Sequence, residues 1–243
     1  KIDLMITATD PEYYEITKDK SPYLYGHKEI KKTGFPRFDS LLQINQSSGN
    51  KKILIMPTWR KSISGVFVKK GSSERVLNPN FVETDYSKSI NSLLNNKRLD
   101  ELAKKHNLDV IFCPHPNMRP YLNHFKKSES VRIADINESI HDLLKESALL
   151  VTDYSSVAFD FAYMKKPLCY YQFDEDTFFS GEHTYGRGYY DYREHGFGPV
   201  LNREDDLISE IESIVKNRFE IVQNKYLENI EKTFSSIDQD NCK

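Results

Sequence analysis

No run in this 243-residue sequence approaches the roughly 20 consecutive apolar residues that span a bilayer, so nothing in it reads as a transmembrane helix. Its start, Lys1-Ile2-Asp3-Leu4, holds neither a signal peptide's apolar stretch nor an initiator methionine, and the chain reads as a fragment. Cysteine is scarce. Cys113, Cys169 and Cys242 are far apart, odd in number and in no metal-ligand spacing, which argues for a reducing compartment and buried free thiols. An excess of one charge is lacking as well: 34 Lys and Arg against 36 Asp and Glu leave a net charge of −2, with no general pull toward nucleic acid. Basic residues gather at Lys18/Lys20/Lys28/Lys31/Lys32 and at Lys51/Lys52/Arg60/Lys61/Lys69/Lys70, which read mainly as solvated faces. The single tryptophan, Trp59, reads as packing rather than base stacking, and there is no internal repeat or low-complexity segment.

With 38% hydrophobic residues the chain is long enough to bury a proper core in one or two domains. From about residue 50, short apolar runs alternate with longer helical patterns, which predicts a parallel sheet flanked by helices, an α/β fold. The expected strands are Ile53–Met56, Val110–Cys113, Val131–Ala134, Ala148–Thr152 and Leu168–Tyr171. The expected helices run over Ser89–His106, Met118–Phe125, Ile140–Glu146, Val157–Lys165, Asp205–Asn217 and Phe219–Phe234. Residues 173–199, rich in Gly, Tyr, Phe and charge, lack periodicity and read as an ordered loop over a ligand face. Residues 1–43 offer one strand-like piece, Leu4–Ala8, and a polar stretch. They read as the tail of a preceding domain plus a linker into the α/β domain over 44–243.

The most telling local pattern is Thr152-Asp153-Tyr154-Ser155-Ser156, between an apolar run and a helical segment. At a strand-turn-helix junction the first helical N–H groups lack internal partners and the dipole favours an anion, so two serines there outline a phosphate site. An ordinary cap, with Asp153 or Ser155 bonding the helix terminus, accounts for the same residues.

Ligands of a parallel α/β sheet sit beyond the carboxyl ends of its strands, so the residues following each strand should converge. Those residues are Pro57-Thr58-Trp59-Arg60, Pro114-His115-Pro116 and Asp153-Tyr154-Ser155-Ser156. A hydroxyl, a guanidinium, an imidazole on a rigid proline-flanked backbone and two serines suit a pyrophosphate. Asp160, one turn past Ser156, is placed to orient a serine or meet donor hydroxyls, or to complement the helix dipole. Asp174-Glu175-Asp176 fits a weak D-x-D pattern for a metal-held nucleotide sugar, but a phosphate site built from a helix start and His115 needs no metal, and no metal or cofactor is expected.

Five segments, in order, carry a resemblance: Gly34-Phe35-Pro36-Arg37-Phe38-Asp39, Ile55-Met56-Pro57-Thr58-Trp59-Arg60, Cys113-Pro114-His115-Pro116, Val151–Asp160, and Tyr189–Tyr192 with Gly198-Pro199-Val200. Together they resemble the motifs of the CDP-glycerol glycerophosphotransferases, the teichoic acid primases and polymerases. The resemblance implies a GT-B architecture of two Rossmann-like domains, this chain supplying the C-terminal, donor-binding one with helices on both faces of its sheet. It implies a CDP-glycerol or similar CDP-alditol donor and a polyol-phosphate or glycan acceptor in a cell-wall teichoic acid or capsular polymer. It also implies a cytoplasmic enzyme, peripheral on the inner face of the bacterial membrane through the full-length protein. Carried over by motif, Arg37, Pro57, Thr58, Arg60, Cys113, Pro114, His115, Ser155, Ser156 and Asp160 would line the donor site, with His115 closest to the chemistry. The family's acceptor-side histidine, followed by glycine, belongs to an N-terminal domain outside this chain; His195-Gly196 and Gly26-His27 stand elsewhere in the motif order. A GT-B sugar transferase, contacting ribose through Asp174, Glu175 or Asp176, and a nucleotide-binding module without chemistry are the competing readings.

Overall fold

The computed structural model describes residues 2–43, 51–64, 69, 76–182 and 187–241; Lys70 and Cys242 lie outside them. The described residues form eight strands: β1 Met5–Thr7, β2 Ile30–Lys32, β3 Lys52–Ile55, β4 Asp109–Phe112, β5 Val131–Ile133, β6 Ser147–Thr152, β7 Leu168–Tyr171 and β8 Val200–Leu201. The helices are α1 Asp10–Thr17, α2 Pro36–Leu41, α3 Lys61–Ser64, α4 Asp85–Leu94, α5 Lys97–His106, α6 Ile140–Glu146, α7 Val157–Tyr163, α8 Glu175–Thr177, α9 Glu204–Lys216 and α10 Asn224–Thr233. None is long and apolar enough to cross a membrane.

Six strands form one all-parallel sheet in the order β5-β4-β3-β6-β7-β8, while β1 and β2 pair apart from it. Read from β3, this is the doubly wound 3-2-1-4-5-6 order, which reverses direction between β3 and β6 and opens a crevice there. Side-chain alternation divides the apolar strand residues between two cores. Ile53, Ile55, Val110, Phe112, Leu149 and Val151 pack with α4, α5 and α9 on one face. Leu54, Ile111, Leu150 and Tyr170 pack with α2, α6, α7 and α10 on the other.

The expected helix over Ser89–His106 is two helices, because Asn95 and Asn96 satisfy the backbone better as caps than as helix interior. Asn96 accepts the Leu99 N–H at 3.2 Å, and Asn95 Nδ2 bonds the Asn91 and Lys126 carbonyls. The segment expected over Met118–Phe125 is a 3₁₀ helix, Pro116–His124, whose internal Pro120 is incompatible with α-helical bonding. The final helix starts at Asn224 rather than Phe219, which lies in the left-handed region with Arg218. In residues 1–43, α1 is capped by Thr9, which accepts the Glu12 N–H, while Glu12 accepts from Ala8. Phe38 and Leu41 of α2 are buried in the second core. Gly34 lies at φ +75°, with Asn241 Oδ1 where a Cβ would stand. The lysines of the basic clusters are mostly exposed, as solvated faces require, with Lys18 paired to Glu15, Lys32 to Asp10 and Lys52 to Glu146.

Candidate functional site

At the β3/β6 crossover a cavity of about 330 Å³ opens, lined by Thr58 after β3 and by Tyr154, Ser155 and Ser156 after β6. Phe159, Gln172, Glu175, Phe178, Phe179, Arg187 and residues 188–193 complete it. The loop expected to cover a ligand face thus supplies most of its wall. Its anchors are short: Tyr190 Oη meets Tyr170 Oη at 3.1 Å, Tyr192 Oη donates to the Tyr154 carbonyl at 3.1 Å, and Arg193 pairs with Glu175 at 2.7 Å. Gly198 permits the loop's return beside β7, since a Cβ there would lie 1.9 Å from the Leu168 carbonyl oxygen.

Three of the expected site residues meet in this cavity. Thr58 Oγ1 is shielded from solvent and has no hydrogen-bond partner among the described residues, although its backbone N–H donates to Asp153 at 2.8 Å. Ser155 Oγ accepts the Val157 N–H only at 3.4 Å, and Ser156, an exposed residue at the N-cap of α7, makes no side-chain cap bond. Of the two residues that the cap reading named, Ser155 thus makes one long bond to the start of α7. Asp153 does not cap: its Oδ1 accepts the Thr58 and Tyr154 N–H groups and its Oδ2 takes Arg60.

Arg60 stands behind the site rather than in it, which corrects its expected role at the phosphates. The side chain is 2% exposed. Its Nη1 donates to the Thr58 carbonyl (2.6 Å), Nη2 to Asp153 (2.9 Å) and Asp174 (3.0 Å), and Nε to Asp174 (2.6 Å). Phe178, Tyr86 and Tyr154 surround the guanidinium at 4.7, 5.3 and 5.3 Å, and Tyr154 and Phe178 stack on each other at 3.6 Å. Burial works against this charge, and Asp153, then Asp174, more than offset it, raising the pKa further above its ordinary value. Both oxygens of Asp174 are engaged by Arg60, and the residue stands outside the cavity lining, where neither a ribose nor a D-x-D metal would sit.

The other expected residues divide. Cys113 is buried in the second core, where burial pushes its thiol pKa up, and Pro57 is buried, so these two shape the strand ends rather than meet a ligand. His115 lies beyond β4, outside the cavity lining and beside Pro114, with its ring 6.1 Å from Trp59. Its Nδ1 accepts the Asn117 N–H at 3.1 Å, which puts the proton of the neutral ring on Nε2. Asp160 does not reach the serines; it pairs with Arg37 Nε at 2.8 Å from a buried position. Burial raises the Asp160 pKa, and Arg37 opposes the shift. Arg37 lines a smaller neighbouring cavity of about 170 Å³ that shares Ser156, Phe159 and Tyr189 with the first.

Sequence reasoning missed Arg187, which lines the larger cavity and covers the Phe179 ring at 4.8 Å. No strand precedes it, so the strand-end rule could not find it. Two carboxylates in the lining are already engaged. Glu175 is held below its usual range by Asn202 and then Arg193, and Asp191 by the N–H groups of Glu194 and Arg193. Neither suits a general base near neutral pH.

Comparison with known proteins follows the same lines. The family model described as CDP-glycerol:poly(glycerophosphate) glycerophosphotransferase matches residues 1–241. The minor teichoic acid biosynthesis protein GgaB of Bacillus subtilis (strain 168) is 39% identical over 241 residues, 99% of this chain and 25% of GgaB. The teichoic acid glycerol-phosphate transferase of Staphylococcus aureus (strain NCTC 8325 / PS 47) is 27% identical over 232 residues, 88% of this chain and 52% of that protein. The solved wall teichoic acid polymerase TagF superposes with a TM-score of 0.64 at 23% identity, over 99% of this chain and 55% of that one. That likeness shows the fold, the Rossmann-like GT-B type that the motifs implied. The chain spans between a quarter and about half the length of these relatives.

Proposed function

The chain belongs to the CDP-glycerol:poly(glycerophosphate) glycerophosphotransferase family, and from that premise we propose that it is the donor-binding part of such an enzyme. The observation that carries the reading is the cavity at the sheet's crossover. Ser155, Ser156, Thr58 and Arg187 line one space of about 330 Å³, and the buried Thr58 hydroxyl beside it has no partner among the described residues. Polar donors without protein acceptors, in a crevice at strand ends, match the needs of a diphosphate. A bound phosphate oxygen is the acceptor that would satisfy Thr58 Oγ1 once its side chain turns into the cavity. GgaB and the staphylococcal transferase are named for teichoic acid and glycerol phosphate, and a TagF variant has been soaked with CDPG, which supports a CDP-alditol donor and a polyol-phosphate acceptor here.

In this reaction an acceptor hydroxyl forms a new P–O bond to the glycerol-bearing phosphorus while the bond to CMP breaks. CMP leaves readily, so the protein's task is positioning and charge stabilisation. Thr58, Ser155, Ser156 and Arg187 would hold the diphosphate, and His115 Nε2–H approaches from the next strand end. The base that takes the acceptor's proton comes from outside this cavity, whose carboxylates are held ionised and hydrogen-bonded. In the family's architecture that base would belong to the partner domain across the cleft, and the assembled enzyme would meet its acceptor at the inner membrane face.

Calorimetry with CDP, CDP-glycerol, CDP-ribitol and UDP-sugars tests the reading. Cytidine diphosphates are expected to bind selectively, with affinity unchanged by EDTA because Asp174 is taken by Arg60, and the isolated chain is expected not to extend polymer. UDP-sugar preference, or a requirement for Mg²⁺, would overturn it.

A further inference from the structure

Beside the donor cavity lies a second one, of about 170 Å³, separated from it by Ser156, Phe159 and Tyr189 and bounded on its far side by Thr9, Phe35 and Arg37. A third, of about 270 Å³ and mostly apolar, continues past the same Phe159 and Tyr189 toward α10. All three adjoin one another around Phe159 and Tyr189.

Arg37 is the cation of the middle cavity, and its geometry is that of a held but unspent guanidinium. Among the described residues only its Nε is committed, to Asp160 at 2.8 Å, while the side chain is 47% exposed. The rings of Phe35 and Phe38 lie 4.4 and 5.1 Å from the guanidinium carbon and fix its plane. Asp160, on the buried face of α7, orients Arg37 from below. The pair of terminal nitrogens is left to a ligand, and a planar fork of this kind suits a phosphate. The lining's acid, Glu12, accepts the Ala8 N–H as part of the α1 cap.

We propose that this cavity is an anion subsite for a second phosphate, the terminal phosphodiester of a polyol-phosphate acceptor, with Arg37 as its ligand. The proposal rests on the donor reading above. In-line attack brings the acceptor hydroxyl to the donor phosphorus from the side away from CMP. The acceptor's own first phosphodiester then lies one polyol unit beyond the reacting atoms, and the cavity that adjoins the donor's across Ser156, Phe159 and Tyr189 is the space to receive it. Arg37 therefore recognises acceptor rather than donor.

The test is calorimetric titration of the chain with a short poly(glycerol phosphate) oligomer, with and without saturating CDP, in wild type, Arg37→Gln, Arg37→Lys and Ser155→Ala. The oligomer is expected to bind alongside CDP. Arg37→Gln should weaken it about tenfold or more, with CDP affinity within about twofold of wild type, as loss of a charge-assisted pair requires. Arg37→Lys should recover part of the loss, and Ser155→Ala should do the converse, weakening CDP and sparing the oligomer. Competition between oligomer and CDP, equal losses of both in Arg37→Gln, or CDP binding with no oligomer binding each overturns the subsite alone. Absence of CDP binding in the wild type overturns the donor reading and the subsite with it. Melting of each variant confirms that the exposed Arg37 has been replaced in a folded chain.

Discussion

Arg60→Ala is expected to destabilise the chain by about 3–5 kcal/mol, because it strands two buried carboxylates that share one cation. Asp153 and Asp174 have side chains 1% and 8% exposed, and Arg60 bridges both while bonding the Thr58 carbonyl. The three residues come from the loops after β3, β6 and β7, so their ion cluster ties together the segments that form the donor cavity. Arg60→Lys keeps the charge but lacks the fork that spans both carboxylates, and should recover only part of the loss. Denaturant unfolding measures both. A change of less than about 1 kcal/mol in Arg60→Ala would mean that the cluster is not what holds these loops.

The second large effect separates binding from folding. Thr58→Val removes a buried hydroxyl that has no partner among the described residues, so stability should stay level or rise, while CDP-glycerol affinity falls by about 1–3 kcal/mol if that hydroxyl meets a phosphate. Ser155→Ala should cost affinity similarly, and its melting loss should stay below the roughly 1 kcal/mol of a working cap, since its only cap-like bond is 3.4 Å long. His115→Ala should also weaken the diphosphate. Cytidine, which lacks phosphates, should bind all three variants as it binds wild type. Equal losses for cytidine and CDP-glycerol would contradict a phosphate role for these residues.

Much of this architecture is legible because a parallel sheet buried on both faces writes its strands as uninterrupted apolar runs. Ile53-Leu54-Ile55 and Leu149-Leu150-Val151 announce themselves that way, and the strand-end rule then selects Thr58, Ser155 and Ser156. The two-residue β8 was too short to signal, and α1 was hidden in a polar segment although Thr9 and Glu12 spell a capping box. Arg60 shows a firmer limit. Its place after β3 is visible in sequence, but whether its guanidinium faces ligand or core depends on Asp153 and Asp174, 93 and 114 residues away. The pairing of Arg37 with Asp160, across 123 residues, is of the same kind. Arg187 reaches the cavity from a loop whose path is set by tertiary contacts of Tyr190 and Tyr192 rather than by periodicity.

The central claim is that the crossover cavity holds the donor's diphosphate, and a crystal structure of this chain with CDP-glycerol tests it most directly. The account predicts both phosphates between Thr58 and Ser155-Ser156, the threonine hydroxyl turned onto a phosphate oxygen, Arg187 within reach, and Arg60 still bonded to Asp153 and Asp174. A diphosphate bound by Arg60 or Asp174, or seated away from the ends of β3 and β6, would contradict it.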